Sequence, residues 1–236
     1  MDYNNRLREL YDSRLENLKK MFRELNESLN DADTNFSWPL LLRIWEKEYY
    51  DAPIKLMVFG QETKGWNNPV NSKIEENTAE SLTEEYYLHN LGRHRLGRSS
   101  FFRTIHDLNR RVGNPDSNCF VWNNILKFGK EDSAGYPSDN VMEAELKYLN
   151  VIPDEIEILN PDACVFLTGP NYDSDIKKRF QDAVFIPVEG FKSRELIIIK
   201  SKSLPQKTFR TYHPGYGSIY REGYDRIIDT IIRMIK

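Results

Sequence analysis

The chain has 236 residues and a net charge of −3, from 33 Lys and Arg against 36 Asp and Glu, with 39% hydrophobic and 29% charged residues. That length allows one large domain with a sizeable core, and 12 Gly plus 11 Pro are too few for a fibrous or disordered chain. Two cysteines, the lack of any apolar run near the roughly 18 residues of a membrane span, and a charged N-terminus without a signal-peptide core argue against disulfide-framed, membrane-spanning or secreted classes and suit a reducing cytoplasm.

In chain order, Leu7, Leu10, Tyr11, Leu15, Leu18, Met21, Phe22, Leu25 and Leu29 recur at three- and four-residue steps and predict an amphipathic helix over the first thirty residues. Its stripe is expected to pack on the body of its own domain, with a dimer seam as the other reading. A second helix is expected over Trp38 to Tyr50 with Ser37 as N-cap, so that residues 1–50 form a helical extension on a domain spanning 51–236. Four short apolar runs then read as buried strands: 54–59, 119–122, 163–167 and 196–199. Helical patterns lie between them at Ser99 to Val112, Val141 to Leu159 and near Asp175 to Phe180, and a last one runs from Ile219 to Lys236. Strands alternating with helices imply an α/β fold with a largely parallel sheet. Residues 63–77, with Gly65, Pro69 and four asparagines, read as a long polar loop of functional length.

Charge is segregated. Residues 91–112 carry six arginines (Arg93, Arg95, Arg98, Arg103, Arg110 and Arg111) against Asp107, and residues 201–236 carry seven basic residues against three acids. Residues 130–160 carry two lysines against eight acids. A cationic face on a net-acidic molecule is what phosphate-backbone binding requires; ordinary solvated helix faces are the alternative.

Ligands of open α/β sheets bind beyond the carboxyl ends of the strands, and four segments fall there. Gly60-Gln61-Glu62-Thr63 combines a turn-permitting glycine, an amide and a carboxylate able to orient water. Asn123, with Asn124 after it, offers donor and acceptor together at the end of a strand. Leu167-Thr168-Gly169-Pro170 is a small turn, and Tyr212-His213-Pro214-Gly215-Tyr216-Gly217-Ser218 sets a histidine on a rigid turn before a helix.

In order and spacing these segments resemble the uracil-DNA glycosylase superfamily over about residues 54–236. Gly60-Gln61-Glu62-Thr63 is similar to the water-activating motif, with Glu62 and Thr63 standing where Asp and Pro are usual. Arg98-Ser99-Ser100-Phe101 is similar to the segment that opens a helix onto the DNA backbone, Asn123 to the base-reading position, and His213-Pro214-Gly215 to the last motif, with Gly215 in place of Ser. The resemblance implies a three-layer α/β/α fold around a central, mostly parallel four-stranded sheet. It implies cleavage of the N-glycosidic bond of uracil or another damaged base in DNA, without metal or other cofactor, by a monomer that does not bind membranes. Glu62 would position water and offset the oxocarbenium-like sugar, and His213 would stabilise the leaving base. Gly60, Gln61 and Asn123 would hold the base, and an aromatic residue of the 66–102 region would stack on it. Ser99, Ser100, Gly215 and Ser218 would grip phosphates, and Tyr216 is the nearest wedge for the gap left in the duplex. A nucleic-acid-binding module on the same fold without catalytic activity is the alternative.

Overall fold

The computed structural model describes residues 2–66, 73–91, 99–115, 119–216 and 221–236. Arg93, Arg95, Arg98 and Ser218 lie outside the described residues, as does much of the polar loop after Gly65. Among the described residues the chain forms α1 (Tyr3–Asn26), α2 (Asp31–Thr34), α3 (Glu46–Tyr50), β1 (Leu56–Gly60), α4 (Ala79–Leu91), α5 (Ser100–Arg111) and β2 (Phe120–Asn124). These are followed by α6 (Asp139–Tyr148), α7 (Ile152–Leu159), β3 (Ala163–Phe166), α8 (Asp173–Arg179), β4 (Val184–Pro187), β5 (Leu196–Lys200), β6 (Lys207–Thr211) and α9 (Arg221–Ile235).

The strands make one sheet in the order β2-β1-β3-β6-β5-β4. β2, β1, β3 and β6 are mutually parallel, whereas β5 runs antiparallel to both β6 and β4. The sheet therefore has six strands, not the expected four, and the fourth parallel strand is 207–211 rather than 196–199. Lys207-Thr208-Phe209-Arg210-Thr211 has no apolar run to announce it, because its buried polar side chains are satisfied inside the protein. Arg210 binds Asp173 through two hydrogen bonds of 2.8 Å and donates to the carbonyls of Ser193 and Arg194 at 3.0 and 2.9 Å. β1 and β3 are buried along their whole length, which is why they read as continuous apolar runs. β4 is an edge strand, with exposed Val184 and Ile186, and tolerates Pro187 for that reason.

The N-terminal helix forms as its periodicity predicts, but ends at Asn26, so Leu29 falls beyond it and is fully exposed. Asp2 caps its start by accepting from the Asn5 amide, and Tyr3, Leu7, Tyr11, Leu18, Met21, Phe22 and Leu25 join the same hydrophobic cluster as the sheet. α1 packs on α4, α6 and α7. The expected helix over 38–50 is reduced to α3. Residues 35–45 instead run without helix, bury Phe36, Leu40, Leu41, Leu42 and Ile44, and pair by backbone with Lys127, Gly129 and Trp66. Consecutive buried leucines leave no polar side for a surface helix. Ser37 caps nothing; its hydroxyl accepts from the Gly129 amide at 3.0 Å. The expected helix over 141–159 is two helices, because Pro153 starts a new one at α7.

Buried ion pairs join these layers. Lys127 and Glu155 are both fully buried with Nζ 2.7 Å from Oε2, and Tyr11 of α1 donates to the other Glu155 oxygen at 2.7 Å. Arg179 binds Glu145, whose carboxylate also accepts the amides of Lys127 and Phe128 at 2.9 and 3.2 Å. Each charge is compensated, which is the condition for burying it at all. No helix among the described residues is long and apolar enough to cross a membrane.

Candidate functional site

Parallel pairing sends the carboxyl ends of β1, β2, β3 and β6 to one rim, so all four sequence segments emerge there, and β1 lies between β2 and β3 where the connections diverge. Gly60 pairs with Asn124 in register, and the amides of Ile125 and Leu126 donate to the carbonyls of Gly60 and Gln61, both at 3.1 Å. Gly60 is required for room rather than for a turn: a Cβ there would lie 2.5 Å from Asn124 Oδ1 and 2.9 Å from Phe101 Cζ.

The two asparagines point to opposite faces, as successive strand residues must. Asn123 is 0% exposed and fully engaged. Its Nδ2 donates to Glu155 at 2.8 Å, and its Oδ1 accepts from Lys127 Nζ at 2.7 Å and the Asn124 amide at 2.8 Å. With both ends of its amide committed to the buried Lys127–Glu155 pair, Asn123 belongs to the core, and Asn124 is the asparagine beside Gly60 and Phe101. Trp122 Nε1 donates to Asn124 Oδ1 at 3.0 Å, which fixes which end of that amide is oxygen. Asn124 Nδ2 is buried and has no hydrogen-bond partner among the described residues. An unmatched buried donor costs about 1–3 kcal/mol, so each calls for an explanation.

Phe101, in the first turn of α5, lies beside Gly60 and stacks on His213 with ring centroids 5.5 Å apart and planes within 7°. Trp122 packs edge-on against Phe101, Phe102 and Trp66 and stacks on Tyr86. Ser99 spends its hydroxyl capping α5, accepting from the Phe102 amide at 3.1 Å, and Ser100 opens the helix half-buried beside it. This end of α5 therefore presents the positive end of its dipole beside the rim.

The His213 carbonyl accepts from the Tyr216 amide at 2.8 Å, closing a turn with Pro214 in the position proline favours. The Gly215 amide donates to His213 Nδ1 at 3.1 Å, so the proton of the neutral imidazole sits on Nε2. Burial lowers the His213 pKa from its ordinary value and favours that neutral form. A Cβ at 215 would meet Nδ1 at 3.1 Å, a tight contact that the imidazole would have to relieve by a small shift. Tyr216 is 63% exposed and stacks on Tyr212.

Glu62 turns to the other side of the rim. Its carboxylate accepts from the Gly135 amide at 3.1 Å and from the Tyr172 hydroxyl. Burial raises its pKa, and the two hydrogen bonds oppose that rise. Tyr172 stacks on Tyr136, whose hydroxyl donates to Asn171 O at 3.1 Å and Asp175 at 3.3 Å. Gln61 Nε2 donates to the Thr168 carbonyl at 2.8 Å and ties the end of β1 to the end of β3. Gly60, Asn124, Phe101 and His213 thus converge, while Asn123 belongs to the core and Glu62 to a neighbouring tyrosine cluster. Tyr136 and Tyr172 carry no local signal in the sequence. Among the described residues, no group of histidine, cysteine or acidic side chains could hold a metal ion. Comparison with protein-family models and with curated proteins found no match.

Proposed function

We propose that the rim at Gly60, Asn124, Phe101 and His213 receives a nucleobase extruded from DNA and that the protein is a base-excising N-glycosyl hydrolase, as the resemblance to the uracil-DNA glycosylase superfamily implies. The observation that carries this reading is the buried Asn124 Nδ2, without a partner among the described residues, on an amide whose oxygen lies against Gly60 beside a stacked aromatic–imidazole pair. That set supplies two N–H donors, from Asn124 and from His213 Nε2, and the flat face of Phe101. It suits a base bearing carbonyl oxygens, such as uracil or hypoxanthine. Phe101 and His213 touch in this structure, so a base enters as the 213–216 turn moves outward.

Cleavage of the glycosidic bond leaves negative charge on the base and positive charge on the sugar. A neutral imidazole donating through Nε2 stabilises the first without a proton transfer, and removal of one such donor costs roughly 10²–10³-fold. Glu62 offsets the second and orients the water, with Tyr172 as a positioning residue that holds its carboxylate. The α5 N-terminus and the 213–216 turn take the flanking phosphates. The test is incubation with oligonucleotides bearing uracil or hypoxanthine, followed by alkali to cut abasic sites. Wild type should release base, and His213→Ala and Asn124→Ala should each slow it at least 10²-fold; equal rates in both variants would end the proposal.

One observation favours a second reading, a binding module that extrudes or holds a base without cleaving it. Both Glu62 oxygens already have partners within the protein. Under that reading the same oligonucleotides bind, Asn124→Ala weakens binding, and no abasic site forms.

A further inference from the structure

The loop between β4 and β5 reaches the same rim, because Leu196 at the start of β5 pairs with Thr211 at the end of β6. Arg210 holds that loop in place through the carbonyls of Ser193 and Arg194. Between the loop, the His213 turn and the start of α9 lies a cleft of about 460 Å³, enough for one nucleotide. Its walls combine flat rings with positive charge. Phe191, Tyr212 and Tyr216 supply the rings, Tyr216 being largely exposed on the far side of its stack with Tyr212. Lys192, Arg194 and Arg226 are exposed cations, and the Arg226 guanidinium lies 4.6 Å over the Phe191 ring. Glu195 is the acid in the lining, and its carboxylate is already used by the Lys192 amide at 2.8 Å. Among the described residues neither Lys192 nor Arg194 is in an ion pair.

We propose that this cleft binds single-stranded nucleic acid, holding the unpaired nucleotide that flanks the extruded one. Register relative to the base pocket rests on the reading above; the cleft's own binding does not. Stacking on Tyr216 needs a base whose face is free, which a paired and stacked duplex does not offer, whereas cations spaced along a wall match a phosphate backbone in either form. The ring-bearing wall therefore selects the single strand.

The test uses a fluorescein-labelled, undamaged 12-nucleotide DNA strand and its blunt duplex, read by fluorescence polarisation at several salt concentrations. The strand should bind the wild type at least tenfold tighter than the duplex. Tyr216→Ala should weaken strand binding about tenfold. The double variant Lys192→Ala/Arg194→Ala should flatten the slope of log K against log salt by about 1.4, from about 0.7 per phosphate contact. Equal or tighter duplex binding, groove variants that bind like wild type, or displacement by deoxynucleoside monophosphate at equal concentration would each overturn the inference. Absence of base release with these binding effects intact would instead fail the base-pocket reading alone.

Discussion

Replacing Gly60 by alanine adds one methyl group at the most crowded point of the rim. The new carbon would sit 2.5 Å from Asn124 Oδ1 and 2.9 Å from Phe101 Cζ. Neither neighbour is free to yield, since Trp122 Nε1 holds the asparagine oxygen and Phe101 is stacked on His213. Overpacking of this kind costs about 1–3 kcal/mol, and a broken Trp122–Asn124 hydrogen bond about 0.5–1.5 kcal/mol more. A total of about 1.5–4.5 kcal/mol lowers the Tm of a chain this size by about 3–18 °C. Differential scanning calorimetry reads the shift directly. Gly223→Ala is the control, because a Cβ there meets nothing within 4 Å and the residue lies in α9, where alanine is the better helix former. A Gly60→Ala protein with unchanged Tm, together with unchanged base release, would refute the packing argument and with it the convergence of Asn124 and Phe101 on Gly60.

Lys127→Met should destabilise by about 3–5 kcal/mol in urea melts, since it leaves the Glu155 carboxylate buried and unpaired, and adding Glu155→Gln should recover a large part of the loss. His213 has a folded pKa below 6.5, so the unfolded chain takes up a proton first as pH falls. Its contribution to stability is therefore present above 6.5 and lost on acidification through that window, and the loss should be smaller in His213→Asn. Glu62 has a folded pKa raised above 4.5, so its effect has the opposite sign: the native state gains relative stability in acid and loses it as pH rises through the folded pKa. Under the proposed mechanism base release needs the Glu62 carboxylate and should fall on the acid side at a pH above 4.5. Tyr172→Phe removes a hydrogen bond that lowers the Glu62 pKa and should move that acid limb upward in a pH–rate profile, an effect a purely structural role would not produce.

What the sequence made legible follows from how locally each signal is written. The periodic stripe of α1 and the apolar runs of β1, β2 and β3 are local, and each element stands where its pattern puts it. β6 was hidden because its burial is made acceptable by Asp173 and the Ser193 and Arg194 carbonyls, none of them sequence neighbours. Residues 35–45 were hidden for a related reason: an apolar stretch threaded against Lys127 and Gly129 has no period of its own. At the site, the end of each strand was readable but not the direction of its side chains. Asn123 and Asn124 differ by one pleat, and only the buried Lys127–Glu155 pair shows which of them the core claims. Glu62 stands at the end of β1, as its place after Gly60-Gln61 implies, whereas its hydrogen bond to Tyr172, which stacks on Tyr136, joins residues far apart in sequence.

Strand cleavage after alkali, measured in single turnover on a uracil-bearing single-stranded oligonucleotide with wild type and Asn124→Asp side by side, tests the central claim most directly. The account predicts abasic sites from the wild type and a loss of at least 10²-fold in the variant, where a carboxylate oxygen replaces the buried donor of Asn124 at the rim. Equal rates for the two proteins would contradict it.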